Sequence, residues 1–458
     1  MHDVLINDRV QGARILFLAY YFPPMGGGGT QRSLKFVKYL PAHGFKPAVL
    51  AGEGVEGDRW APPDAELCRE IGKEIPICRV NIYQKNFEAP LRKRLRDFLG
   101  LRTQFGVRWM RSATGVGRKM CAEVRPNMIF ATMSPFESAI VADVLSREFG
   151  IPWVADLRDP WALDEWIVYP TRWHRKIRLA EMSRQLRSAS LIIMNTPEAA
   201  KRCRETFPKL AEIPIVSISN GYDAEDFKVD LKRVRNERFT VVHAGALHTA
   251  RGLREKRRKK VYQLLGRMEE GVQVLARSHY YLVQAVEKWM LEDESIRNQL
   301  KFEFIGEPTP EDRAILKDSP MALCTEFTGY LSHSDSVRRV RLADLLFLPM
   351  QKLPKGRRAT IVPGKTYEYM ASGRPILAAV PEGDCRDFMK AVGTAEICEP
   401  DDIDGILSVL KRQYKLWQSG DTRSNWDENF VKQFRRESLT AALARELSEL
   451  RTREDYGA

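Results

Sequence analysis

The chain has 458 residues, 44% of them hydrophobic and 29% charged, with a formal net charge of +13. That length accommodates about two to three domains of roughly 150 residues, so a single small binding module is excluded. No apolar stretch approaches the ~20 residues that a membrane-crossing helix requires.

The opening segment MHDVLINDRVQG carries acids and lacks the apolar core of ~7 to 15 residues found in secretory signals, so a cytoplasmic location is expected. Cys68, Cys78, Cys121, Cys203, Cys324, Cys385 and Cys398 show neither paired metal-ligand spacing nor the density of a disulfide scaffold, and are read as reduced thiols. The positive charge is concentrated. Residues 92–119 hold nine Arg or Lys against Asp97, and residues 251–260 hold seven against Glu255, so the rest of the chain is close to neutral.

Short apolar or β-branched runs separated by helical stretches give the pattern of parallel sheets with crossover helices. In chain order, strands are expected at Ile15–Tyr21, Pro47–Leu50, Met128–Thr132, Trp153–Leu157, Leu191–Asn195 and Ile215–Ser219. A second series follows at Phe239–Ala244, Phe302–Ile305, Ala343–Leu348, Ile376–Val380 and Ala395–Cys398. Between them ISNGYDAEDF contains an Asn-Gly turn signal and marks a domain junction. The expected division is 1–225, 226–424 and a helical tail over 425–458.

After the first strand, FPPMGGGGTQRSLKFVKYL places Gly26, Gly27, Gly28 and Gly29 before a helix that includes Arg32. Glycines admit a ligand close to the backbone, and a helix start favours an anion. The alternative is a plain strand-to-helix turn, since neither GxGxxG nor GK[ST] is present. At WVADLRDPWALDEW a buried-type strand ends in Asp156, Arg158 and Asp159, where α/β sheets bind ligands beyond their strand ends. A structural ion pair involving Arg158 is the competing reading.

In IVPGKTYEYMASGRPIL, Pro363 suits a first helical position and Gly373 the position past the end, which predicts a helix of about nine residues. Gly364 and Lys365 would then meet an anion, with Glu368 one turn on, on the same face and able to accept from a ribose diol.

The set YYFPPMGGGGTQR, DLRDPW, ISNGYD, HAGALHTARG, FTGYL and PGKTYEYMASGRPIL resembles retaining glycosyltransferases of the GT-B fold, the large family-four group. The resemblance implies two Rossmann-like domains facing each other across a cleft, with a final helix crossing back to the first. It implies that the first domain takes the acceptor and the second a nucleoside-diphosphate sugar. No metal cluster is visible in the sequence, so neither metal nor cofactor is expected. By resemblance Glu368 holds the ribose, Gly364 and Lys365 the diphosphate, and the Gly26–Gly29 loop faces the cleft. The sequence departs from the family pattern at three places. Thr360 stands eight before Glu368 where many members have glutamate, so the acidic contact to the donor sugar is absent or supplied from elsewhere. Ala139 stands near a common histidine, and Ala246 replaces an arginine after Gly245, leaving His248 and Arg251 as candidate phosphate contacts. Residues 253–277 look inserted.

Leu91, Leu95, Phe98 and Leu99 fall at helical spacing among Arg92, Lys93, Arg94 and Arg96, a basic amphipathic pattern suited to an anionic membrane surface or to a solvated helix. Nucleic acid is not expected, because no binding module accompanies the charge. The resulting expectation is a glycosyltransferase acting on a saccharide or lipid-linked acceptor in cell-surface polysaccharide assembly. A sugar-nucleotide epimerase and a non-catalytic basic surface protein are the rival readings.

Overall fold

The computed structural model describes residues 12–54, 63–82, 96, 102–228, 231, 235–421 and 425–457. The chain divides into two compact units, one made of residues 1–164, 173–220 and 436–458, the other of 165–172 and 221–435.

The first unit is built on seven parallel strands: β1 (Ala13–Ala19), β2 (Phe45–Gly52), β3 (Ile77–Val80), β4 (Met128–Met133), β5 (Trp153–Leu157), β6 (Leu191–Met194) and β7 (Ile215–Ser217). Their order is β3-β2-β1-β4-β5-β6-β7. The central strands are apolar on both sides because both faces are covered. Leu16 and Leu18 of β1 join one core with Trp109 and Ala113 of the Gln104–Val124 helix. Ile15 and Phe17 join the opposite core with Leu34 and Val37 of the Gly28–Tyr39 helix. Leu439, Leu443, Leu447 and Leu450 form a stripe at helical spacing on the Arg436–Gly457 helix, and all four enter that second core. The chain end thus returns to the first unit, as the family resemblance implies.

The second unit has six parallel strands: β8 (Phe239–Ala244), β9 (Leu300–Ile305), β10 (Thr325–Gly329), β11 (Leu345–Pro349), β12 (Ile376–Ala379) and β13 (Ala395–Cys398). Their order is β10-β9-β8-β11-β12-β13. Val242 and Ala244 face one core and Phe239 and Val241 the other, so this sheet is covered on both faces too. In each unit the order reverses beside the first strand, between β1 and β4 and between β8 and β11. Such switch points are where open α/β sheets bind ligands.

Two strands lie outside the expected set, β3 and β10. Both are edge strands of mixed composition, ICRV and TEFTG, and their residues are mostly only partly buried. The segment Glu165–Arg172 belongs to the second unit although the residues on both sides of it in sequence belong to the first. No helix among the described residues is long and apolar enough to cross a membrane.

Candidate active site

In the second unit, β8 ends at Ala244 and Gly245 follows with φ 99°, a conformation that favours glycine. A Cβ on Gly245 would approach the Lys365 ammonium at 3.1 Å, so the missing side chain makes room for the lysine. The Ala244 N–H donates to the Tyr369 hydroxyl at 2.8 Å, which ties the Lys365–Ala371 helix to the end of β8. That helix starts two residues later than expected, at Lys365 instead of Pro363. Gly364 is its N-cap, and Pro363 contributes its carbonyl to Thr366 N–H from outside the helix. Gly373 closes the other end with φ 63°.

Lys365 Nζ stands 3.0 Å from His243 Nε2. The other ring nitrogen of His243 lies 2.9 Å from the Phe347 carbonyl, which can only accept, so Nδ1 carries the proton and Nε2 accepts from Lys365. Burial and the lysine hold the His243 pKa well below its ordinary value, and the ring is neutral. Lys365 is partly exposed as a residue, yet desolvation of its ammonium and the charge of Arg277 push its pKa down to about 7, with Glu368 acting against them.

Arg277 is the cation that sequence reasoning did not single out. Its guanidinium lies over the Trp166 ring at 4.7 Å and donates to Gln351 Oε1 at 3.2 Å, just beyond the end of β11. Arg251, expected as a phosphate contact, is held otherwise. It pairs with Glu255 at 2.8 Å, donates to the Trp166 carbonyl and covers the Trp166 ring from 4.6 Å. His248 meets the same indole edge-on at 4.8 Å, and its N–H donates to the Arg277 carbonyl. Its backbone therefore fixes the start of Arg277. The switch point between β8 and β11 thus gathers Gly245, Lys365 and Arg277, with Glu368 one turn along the helix. Two cationic groups held close in a partly desolvated place have a charge arrangement that an anion would complement.

A second finding concerns Thr360. Its hydroxyl donates to Glu165 Oε2 at 2.6 Å and its N–H to Oε1 at 3.3 Å, while Gln351 Nε2 donates to Oε1 at 3.3 Å. Glu165 is 0% exposed. A buried carboxylate nearly two hundred positions earlier in the chain is therefore held beside Thr360. The signal was present as the acidic end of WALDEW, but nothing local tied it to residue 360.

In the first unit the expected residues sort differently. Arg32 and Asp156 were expected to face a ligand. Both are buried, at 1% and 0% exposure, and they satisfy each other: Nε lies 3.0 Å and Nη2 2.7 Å from Asp156 Oδ1, while Nη1 donates to the Ser219 carbonyl at 2.9 Å. They are a structural clamp between the Gly28–Tyr39 helix, β5 and the end of the unit. Arg158 lies over the Tyr21 ring at 4.8 Å and donates to the Gly29 carbonyl at 2.5 Å. A Cβ on Gly29 would sit 2.3 Å from its Nη1. Gly26 is buried and Gly27 is the N-cap with φ 80°, whereas Gly28 is exposed and has open space around its Cα. Asp159 is exposed, 3.7 Å from Arg158 Nε. Gly28, Gly29, Arg158 and Asp159 are brought together at the carboxyl ends of β1 and β5; Arg32 and Asp156 stand behind them.

Residues 27–221 match the family described as Glycosyl transferase 4-like domain. That stretch of the first unit is similar to this family, and the match covers less than half of the chain. The match spans the stretch that holds the glycine loop, DLRDPW and ISNGYD. Comparison with curated proteins finds no match. Among solved structures, sucrose-phosphate synthase from Thermosynechococcus elongatus is similar at TM-score 0.63 and 13% identity, over 97% of this chain and 100% of that one. HepE from Anabaena, in complex with UDP and glucose, aligns at TM-score 0.58 and 15% identity, over 95% and 100%. The α,α-trehalose 6-phosphate synthase from Burkholderia multivorans aligns at TM-score 0.60 and 10% identity, over 97% and 100%. The fold is GT-B, and the similarity extends over both units.

The basic pattern at 91–99 lies outside the described residues except for Arg96. Of the described cations in 102–119, Arg102 pairs with Glu181 at 3.1 Å and Arg118 with Glu148 at 2.6 Å.

Proposed function

We propose that this glycosyltransferase moves a sugar from a uridine diphosphate sugar to an acceptor hydroxyl with retention at the anomeric carbon. The observation that carries the reading is the pair of cations, Lys365 and Arg277, beside Gly245 at the β8/β11 switch point, with Glu368 one helical turn from Lys365. A diphosphate would replace His243 as the partner of Lys365, and Glu368 would accept from the ribose hydroxyls. HepE, of the same fold, has been solved with UDP and glucose and with UDP-glucose, which supports uridine as the base to test first. Retention rests on the family-four motifs.

In this reading catalysis is positioning plus electrostatic stabilisation of the departing diphosphate. Lys365 and Arg277 supply the charge that a divalent cation would otherwise bring, so metal independence is part of the proposal. Glu165, held by Thr360 and Gln351, serves as the acidic contact to the donor sugar in place of a glutamate at 360. The acceptor, a saccharide or lipid-linked intermediate of cell-surface polysaccharide, would meet the Gly26–Gly29 and Arg158 region of the first unit, on the cytoplasmic side of the membrane.

The test is release of UDP from a panel of UDP-sugars with and without candidate acceptors, followed by nuclear magnetic resonance of the new glycosidic bond. Acceptor-dependent release with retained configuration supports the proposal. Interconversion of the sugar on UDP without acceptor would make the protein an epimerase.

A further inference from the structure

We infer that the inserted segment of the second unit is a docking surface for an anionic lipid bilayer. Two short helices, Thr249–Arg257 and Lys259–Leu264, form its exposed part. Arg254, Lys256, Arg257, Arg258, Lys259 and Lys260 are all exposed, and among the described residues none of the six is in an ion pair. The single acid in this run, Glu255, is buried and already paired with Arg251.

Apolar side chains stand out in the same place. Val261, Leu264 and Leu265 are exposed by 51%, 79% and 40%. A lone exposed leucine needs no explanation, but three aliphatic residues within five positions, directly after six unpaired cations, form an amphipathic surface. The surface is rigidly mounted. Gly252 packs so closely on Leu275 that a Cβ would fall 2.4 Å from its Cα. Tyr262 is buried under the Arg267 guanidinium at 4.6 Å, and the Leu265 and Arg267 carbonyls accept from Arg172 and Tyr169. Behind the aliphatic side chains is a cavity of about 660 Å³, lined by Tyr262, Met268, Val272 and Leu275 with Lys256 and Lys259.

Cations flanking outward aliphatic groups complement a bilayer, where the charges meet anionic headgroups and the side chains enter the acyl boundary. A single-stranded nucleic acid would need exposed aromatic faces for stacking, and the one aromatic ring in this run is covered. The inference stands independently of the donor reading, since it uses no residue of that site.

The experiment is sedimentation of the full chain with vesicles of phosphatidylcholine alone or with phosphatidylglycerol. Binding is expected to the anionic vesicles only, and to weaken between 0.1 M and 1 M salt as the Debye length falls from about 10 Å to about 3 Å. Each cation near an anionic leaflet is worth about fivefold in partitioning, so Arg257→Gln with Lys259→Gln and Lys260→Gln should weaken binding about 100-fold. Val261→Gln with Leu264→Gln should weaken it by about tenfold or more with every charge retained. All five side chains are exposed, and circular dichroism checks that the fold is kept. Failure to bind anionic vesicles, or unchanged binding by both variants, would overturn the inference. Loss in the charge variant alone, or equal capture by a single-stranded oligonucleotide without vesicle binding, would reassign the patch to a soluble polyanion and overturn it equally.

Discussion

Lys365 Nζ rests 3.0 Å from His243 Nε2, and the protonated Nδ1 of that histidine is anchored on the Phe347 carbonyl. Burial of the ammonium and the charge of Arg277 push the lysine pKa down to about 7. Binding of UDP at pH 8 should then draw a proton onto Lys365, because the ligand's charge raises its pKa again. Calorimetry in buffers of different ionisation heat should show uptake of close to one proton at pH 8 and much less at pH 6. Equal heats in all buffers at pH 8 would remove the device.

The same shift has a cost in the ligand-free protein. A lysine with a folded-state pKa of about 7 against its ordinary 10.5 binds fewer protons folded than unfolded, so stability rises with pH across that window. Lys365→Met should therefore melt higher than the parent at pH 7 while losing diphosphate affinity. The gap should narrow as the pH rises towards 10.5, where the unfolded lysine also begins to lose its proton; a constant gap would indicate a packing effect.

Arg277 and Arg251 both cover Trp166 but are assigned different work. Arg277→Gln should weaken UDP binding by about 10- to 100-fold, the worth of a hydrogen bond to a charged group, with little change in stability. Arg251→Gln should leave affinity within a few-fold and lower the unfolding midpoint, because Glu255 stays buried with its pKa raised by burial and loses its cation. Urea titration and calorimetry of the two variants distinguish them, and a reversed pattern would exchange the roles.

Glu165→Gln keeps the shape and part of the contact with Thr360 but removes the charge. Its kcat should fall by about 10- to 100-fold while UDP affinity holds, since the carboxylate is assigned to the sugar and not to the nucleotide. Loss confined to UDP affinity would place Glu165 elsewhere in the site.

Arg32→Met strands a fully buried Asp156 and should cost about 3 to 5 kcal/mol of stability, read by denaturant unfolding. Gly29→Ala, by contrast, pushes on the Arg158 guanidinium and should reduce acceptor use with a smaller loss of stability. Wild-type stability of Arg32→Met would return that arginine to the ligand-facing set.

The central strands were legible because they are buried on both faces, so Phe239–Ala244 and Trp153–Leu157 read as mainly apolar runs and emerged with their expected bounds. Edge strands β3 and β10 carry polar residues on one exposed side and leave no such run. The Lys365–Ala371 helix was readable from local signals, with its start misplaced by two residues. Arg32 with Asp156, Glu165 with Thr360 and Lys365 with His243 were not, since each joins residues more than a hundred positions apart and the partners meet only once the sheets have formed.

The central claim is that Lys365 and Arg277 receive the diphosphate of a UDP-sugar, and isothermal calorimetry with UDP against uridine tests it most directly. UDP should bind the parent at least tenfold more tightly than uridine, and Lys365→Ala combined with Arg277→Gln should abolish that difference while uridine binding stays as it was. Equal affinity for UDP and uridine in the parent, or a UDP preference that survives the double substitution, would contradict it.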